Sequence, residues 1–495
     1  MTEKMPHWLD KQADITPDGL AIESPFVPPV TFSILRYRAQ QFAKKLQFLG
    51  VREGEHVAIH SKNSIEMIIA IHGLSYLGAV IVLLNTRLSK SELAFQIEDA
   101  NVRHLVTTSE DQSYIEGFVE PDVVKVVSFT TVEKQPEIVG DLKIEMNPDD
   151  IFSIIYTSGT TGKPKGVVHT YGNHWSSAIA SALNLGIDKQ DKWLATLPLF
   201  HVGGFSLLMK SVIYGMPIYL LEKFEVESIH QAIMNKGVTI VSVVSVMLDR
   251  LMEELAAKSY PAEFRCMLLG GGPASAYLLE KARQKRIPVF QTYGMTETSS
   301  QIVTLSPNEA LRKIGSAGKA LFTAQMKVIN DKKEANPLEI GEIFVKGPMV
   351  TKGYYQNEAA NKSAVLHQGW LATGDLGYLD EEGFLYVVDR RKDLIISGGE
   401  NVYPAEIENV LVGIKGIKEA GVVGQEDPKW GKVPVAFIIV EDKLDLDLVK
   451  QQCRDELAKY KIPRAFYIVD NLPRNASNKL LRHQLVTRLE QNIKE

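Results

Sequence analysis

The stretch Tyr156-Thr157-Ser158-Gly159-Thr160-Thr161-Gly162-Lys163-Pro164-Lys165-Gly166 gathers the residue types that bind phosphate. It comes directly after the apolar run Ile151-Phe152-Ser153-Ile154-Ile155, so a strand should feed straight into a loop. The glycines permit positive φ and close backbone approach. Successive amides can then form an anion-binding nest, with Ser and Thr hydroxyls as further donors and the lysines as charge. The Walker A pattern G-x-x-x-x-G-K-[ST] is not met, because two residues separate Gly159 from Gly162 and Pro164 comes after Lys163. Standing alone, such a loop is more often a flexible surface turn. Its meaning depends on the residues further along the chain.

Five later stretches bear on that. Gln291-Thr292-Tyr293-Gly294-Met295-Thr296-Glu297-Thr298 offers a ring, hydroxyls and a carboxylate at what reads as a strand end. A hard carboxylate oxygen suits Mg²⁺, which few protein ligands and several substrate phosphates usually hold. Thr373-Gly374-Asp375 presents a carboxylate that can accept two hydrogen bonds. Asp389-Arg390-Arg391-Lys392-Asp393 is a compact charged run, and Ser397-Gly398-Gly399-Glu400-Asn401-Val402-Tyr403-Pro404 with its paired glycines comes just after it. Leu472-Pro473-Arg474-Asn475-Ala476-Ser477-Asn478-Lys479-Leu480 places a lysine near the C-terminus. Taken singly, each is a turn or a solvated charge. In this order, behind the 156–166 loop, they resemble the motifs of the acyl-adenylate-forming superfamily.

That resemblance implies ATP, Mg²⁺ and CoA as co-substrates and cofactor, and a role for each matching position. Thr157, Ser158, Gly159, Thr160, Thr161, Gly162 and Lys163 would cradle the phosphates. Tyr293 would stack on adenine, Thr296 would contact phosphate, and Glu297 would ligate the metal ion. Gly271, Gly272, Thr292, Gly294 and Met295 would complete the nucleotide wall, while Asp375 and Arg390 would hold the ribose. Lys392 would be the hinge about which a small domain turns. Ser397, Gly398 and Gly399 would line a tunnel for the pantetheine arm. Lys479 would reach the substrate carboxylate and the α-phosphate. Asn478 departs from the family's usual glycine, and Asn is among the residues that best tolerate the left-handed region. His201, in Leu197-Pro198-Leu199-Phe200-His201, would border the acyl pocket and act there.

Further stretches, including Gly172-Asn173-His174 and Ser211-Val212-Ile213-Tyr214-Gly215, are similar to the o-succinylbenzoate–CoA ligase branch of menaquinone biosynthesis. The implied partner is a small aromatic dicarboxylate. A second carboxylate must be paired or hydrated inside a pocket, and Lys210 is the one charge in the largely apolar run from Val202 to Leu221. Lys210 is therefore expected to meet the non-reacting carboxylate, with Gly270 and Gly271 under the ring. Other aryl- or fatty acyl–CoA ligases and luciferase-type adenylate oxidases are the alternatives that the motifs alone allow.

The elements that must position these residues alternate strand and helix. Thr31 is expected to cap a helix running to Leu49, with Phe32, Leu35, Ala39, Phe42, Ala43 and Leu46 on one face. Val57–His60, Ala79–Asn85 and His104–Thr107 read as strands separated by helices at 64–77 and 90–100. The fold class is α/β: a large N-terminal domain of mostly parallel sheets with flanking helices, 1–389, including a barrel-like antiparallel piece after Ile314. A hinge at 390–393 leads to a small mobile α+β domain, 394–495. With 495 residues the chain is too long for a single core. Net charge −5 speaks against a nucleic-acid partner or a polybasic membrane anchor. Cys266 and Cys453 lie far apart and without partner spacing, which gives no disulfide framework and no zinc site. No apolar run reaches a membrane span, a cytoplasmic location is expected, and a homo-oligomer is left open.

Overall fold

The computed structural model describes residues 3–157, 164–271, 276–310, 312–364, 367–389, 393–440, 444–473, 480 and 482–492. The chain divides into two compact units: one of residues 1–86, 97–155 and 166–388, the other of 87–96, 156–165 and 389–495.

In the first unit a seven-stranded sheet runs in the order Gly353–Tyr354, Lys165–Thr170, Ile151–Thr157, Val80–Leu84, His56–His60, His104–Thr107, Lys125–Ser128. Pairing is parallel from Ile151–Thr157 outward to Lys125–Ser128, as expected where helices link the strands. Gly353–Tyr354 adds an antiparallel edge beside Lys165–Thr170. A nine-stranded sheet has Ile218–Leu220, Trp193–Ala195, Ile240–Val243, Cys266–Leu269 and Val289–Met295 in parallel at its centre. Ser300–Leu305 then turns back antiparallel on Val289–Met295.

One apolar core joins the two sheets. It includes Ile59, Ile81 and Phe152 of the first, and Trp193, Ile240 and Cys266 of the second. The helices Phe32–Phe48, Ile65–Leu77 and Val202–Tyr214 supply much of the rest. Thr31 caps the first of these, its hydroxyl accepting from the Ile34 amide at 3.3 Å, and Ser64 caps the second at 3.1 Å. The barrel-like expectation after Ile314 corresponds to a five-stranded sheet in which Gln325–Asn330, Gly341–Lys346 and Leu371–Leu379 pair antiparallel.

The second unit folds around a long hairpin, Ile417–Asp427 against Gly431–Val440, with Phe466–Ile468 parallel beside it. The two strands run for 11 and 10 residues. In Ile417–Asp427, Val422 and Val423 are buried on opposite faces, in two separate apolar clusters, so this stretch lacks the one-sided alternation of a half-exposed strand, and the charged residues Lys418, Glu419, Glu426 and Asp427 toward its ends mask its length. Helix Pro404–Gly413 is tied down by Lys461, whose ammonium bonds both Glu92 and Glu406. Among the described residues no helix is long and apolar enough to cross a membrane. Both cysteines are buried and free.

Candidate active site

The site is built where Val289–Met295 leaves the nine-stranded sheet. The strand's register shifts between Tyr293 and Gly294, and a single 3₁₀ turn, Thr296–Thr298, carries the chain back. The return costs backbone strain: Ser299 sits at φ 56° and Ser300 at φ 138°, which side-chain-bearing residues rarely adopt. Such strain persists only where neighbours over-determine it. Here the Thr298 hydroxyl accepts from the Met295 amide at 3.0 Å and donates to the Ser300 carbonyl at 2.7 Å. Ser299 Oγ donates to the Met349 carbonyl at 2.8 Å, and Ser177 Oγ donates to the Ser299 carbonyl at 3.1 Å.

Two residues within this turn are gripped from outside. His169, on Lys165–Thr170, places Nε2 2.6 Å from the Thr296 carbonyl. Burial pushes the His169 imidazole down to about 4, so it is neutral at pH 7 and its Nε2 must carry the proton. The Thr351 amide donates to the Glu297 carbonyl at 2.8 Å, and the Tyr354 phenol donates to Glu297 Oε1 at 2.9 Å. Glu297 is only 9 % exposed. Among the described residues no group of three or more His, Cys, Asp and Glu could hold a metal ion alone. An ion on Glu297 would complete its shell with substrate phosphates, the usual habit of Mg²⁺. The residues present fit that ion.

The motifs at 291–298 and 373–375 meet in space. The Tyr293 phenol donates to Asp375 Oδ2 at 2.8 Å, joining positions 82 residues apart. Asp375 is set by its own turn: Thr373 Oγ1 accepts from the Asp375 amide at 3.1 Å and donates to the Ile343 carbonyl at 2.7 Å. Gly270 comes just after Cys266–Leu269 on the neighbouring strand, and a β-carbon there would lie 3.1 Å from the Thr292 methyl. Gly271 comes next, at φ 79°. The Thr292 hydroxyl itself donates to the Val303 carbonyl at 3.0 Å.

His201 is the N-terminal flank of helix Val202–Tyr214, half-buried, its ring 4.8 Å from that of Phe200. Lys210 lies on the same helix, ~13.5 Å further along its axis. It is 2 % exposed, and its ammonium stands 5.3 Å from the centroid of the Trp193 ring. Burial pulls the Lys210 ammonium down to about 8, which leaves it mainly charged at pH 7. No carboxylate pairs with it among the described residues. His174, on Tyr171–Leu185, is neutral beside it: burial first, then His169 and Lys210, hold its imidazole well below the ordinary value.

In the second unit, Gly398 and Gly399 form the turn between Ile395–Ser397 and Glu400–Val402 at φ 58° and 86°. A β-carbon on Gly398 would meet the Trp430 ring at 2.7 Å, so this turn is closed to any larger residue. Thr157 ends the strand Ile151–Thr157. Ser158, Gly159, Thr160, Thr161, Gly162, Lys163, Gly272, Arg390, Lys392 and Lys479 lie outside the described residues. Sequence reasoning missed His169, Thr351 and Tyr354. No spacing within a motif points to them; the signal is the sheet register that sets Val167 opposite Tyr354.

Residues 9–355 match the model of the AMP-binding enzyme family, and residues 406–479 match that of the AMP-binding enzyme C-terminal domain. The chain belongs to the AMP-binding enzyme family. It is 56 % identical over 488 residues to a 2-succinylbenzoate–CoA ligase of Oceanobacillus iheyensis, covering 98 % of this chain and 100 % of that one. Among solved structures it is similar to a double mutant of o-succinylbenzoate CoA synthetase from Bacillus subtilis bound with the product analogue OSB-NCoA. That match has a TM-score of 0.93, 48 % identity and 98 % coverage of both chains. The same enzyme in complex with ATP and magnesium ion matches at TM-score 0.76, 48 % identity, covering 98 % of this chain and 100 % of that one.

Proposed function

We infer that this enzyme is an ATP-dependent 2-succinylbenzoate–CoA ligase that uses Mg²⁺ and forms the thioester through an acyl adenylate. What carries the reading is the 56 % identity to a ligase of that name across 98 % of the chain. A carboxylate is a poor electrophile, since its charge is delocalised and oxide would have to leave. One carboxylate oxygen therefore attacks the α-phosphate of ATP and pyrophosphate departs, giving acyl-AMP. The CoA thiol, losing its proton, then attacks the acyl carbon, and AMP leaves with the oxygen that was transferred. When bound, Mg²⁺ neutralises phosphate charge, and Glu297 is the residue that would hold it.

The chain's own groups divide the remaining work. Tyr293 and Asp375, joined by their hydrogen bond, hold adenine and ribose as one preorganised wall. Thr157 and the 158–163 loop, with Thr296, take the phosphates. Arg390 supports the ribose, Lys392 serves as hinge, and Ser397, Gly398 and Gly399 admit the pantetheine arm. His201, Gly270 and Gly271 border the acyl group. Each assignment rests on its place in a family motif and, for the described residues, on the geometry above.

The test is pyrophosphate release with ATP and Mg²⁺ over o-succinylbenzoate, benzoate, 4-hydroxybenzoate, acetate, octanoate and decanoate, each with and without CoA. A strong preference for o-succinylbenzoate, with thioester formed only when CoA is present, is the expected result. Preference for a monocarboxylate would keep the reaction and discard the substrate.

Lys210 is the proposed partner of the carboxylate that does not react. A buried ammonium without a protein carboxylate is expensive to keep, and an anionic substrate supplies what is missing. Lys210→Met should raise KM for o-succinylbenzoate about 10- to 100-fold, the loss of one hydrogen bond to a charged group, and leave benzoate nearly unchanged. Its melting temperature should hold or rise, because the variant removes a buried charge that pairs with no carboxylate among the described residues. Equal losses for both acids would sink the assignment.

A further inference from the structure

We propose that Tyr354 is a positioning residue for Glu297: its phenol fixes one carboxylate oxygen so that the carboxylate meets the metal ion in one orientation. This rests on the reading of Glu297 as the metal ligand. The observation is the 2.9 Å bond from Tyr354 Oη to Glu297 Oε1, at a carboxylate that is nearly buried. An ionised carboxylate has about four lone-pair positions, so it can accept from a phenol and still bind an ion.

The phenol is itself held from the backbone outward. Asn361, on helix Glu358–Ala364, accepts from the Tyr354 amide at 2.7 Å and donates to the Tyr354 carbonyl at 2.9 Å. Tyr354 also pairs with Val167 across the antiparallel edge of the seven-stranded sheet. The neighbouring Thr351 amide grips the Glu297 carbonyl, so one short segment holds both ends of the residue. Glu297 sits in a strained turn on a side chain with several rotatable bonds. Without the phenol, its carboxylate would have to be ordered at the moment the ion binds. Groups that orient a metal ligand in this way typically contribute about 10- to 100-fold in metal affinity.

The experiment is calorimetric titration of the enzyme with ATP, once in excess Mg²⁺ and once in EDTA, for wild type, Tyr354→Phe, Glu297→Gln and the double variant. Tyr354→Phe deletes only the hydroxyl and keeps the ring and the strand pairing. The expected result is unchanged affinity in EDTA and a Mg²⁺-dependent gain about 10-fold smaller than wild type. In the double variant the hydroxyl should have no further effect beyond Glu297→Gln. If Tyr354→Phe weakened ATP equally with and without metal, the phenol would be a structural support and the proposal would fall. If instead Glu297→Gln kept the full Mg²⁺-dependent gain, the metal assignment of Glu297 would fail first, whatever Tyr354 did. Melting curves of the four proteins separate either outcome from loss of fold.

Discussion

Lys479→Ala should slow formation of the acyl adenylate by about 10²–10³-fold, the usual cost of removing one charge-stabilising donor. Conversion of supplied acyl-AMP and CoA to thioester should change little. The asymmetry arises from where charge gathers. In the first half an anionic carboxylate approaches an anionic phosphate, and the ammonium proposed to reach both would relieve that repulsion. In the second half the attacking group is a thiol and the acceptor an acyl carbon, so a cation between carboxylate and phosphate has less to do. The substitution should also leave the fold intact. The flanking Leu472 and Leu480 pack on the apolar cluster of Val423, Phe437 and Leu485, and that anchoring does not depend on the residue at 479. Pyrophosphate release and thioester formation from synthetic acyl-AMP are the two readouts. An equal fall in both would remove Lys479 from the first half-reaction.

How much of the molecule was legible beforehand depended on the range of the interaction concerned. Thr31 and Ser64 sit beside the helices they cap, and the alternation of strands around 56–107 comes from local periodicity. Helix Val202–Tyr214 shows no polar face, because Gly204 through Val212 are all buried, and it reads as an apolar run. The site divides in the same way. Residues proposed to act within one motif, such as Tyr293 and Glu297, stand out by spacing. The bond from Tyr293 to Asp375 spans 82 residues and belongs to tertiary structure. His169 and Tyr354 are further from legibility. Neither meets its partner nearby in sequence, and each acquires its place only when the strand Lys165–Thr170 lies between the turn at 296 and the edge at 353.

Gly294→Ala should cost both half-reactions about 10²-fold, by moving the nucleotide wall rather than by deleting a functional group. A β-carbon at 294 would stand 2.1 Å from the Ser300 carbonyl oxygen, 2.8 Å from its carbon and 2.9 Å from the Gln301 α-carbon. All three are backbone atoms of the paired strand, so no side chain can swing aside. The strands Val289–Met295 and Ser300–Leu305 would have to part by roughly 1 Å, and a misplacement of that size typically costs about 100-fold. Relief at Ser300 is blocked, because Ser177, Met349 and Thr298 hold the segment 298–300 in place. The shift must pass instead to Tyr293 and Thr296, on either side of the glycine. The AMP moiety is common to both halves of the proposed reaction, so displacing the proposed Tyr293–Asp375 wall should weaken acyl-AMP as well as ATP. Gly413→Ala, where a β-carbon meets nothing within 4 Å, is the control and should behave as wild type. Activity of Gly294→Ala within about twofold of wild type would show that this strand end does not set the nucleotide geometry. Loss confined to adenylation, the pattern expected of Lys479→Ala, would place Gly294 with the phosphates instead of the nucleoside.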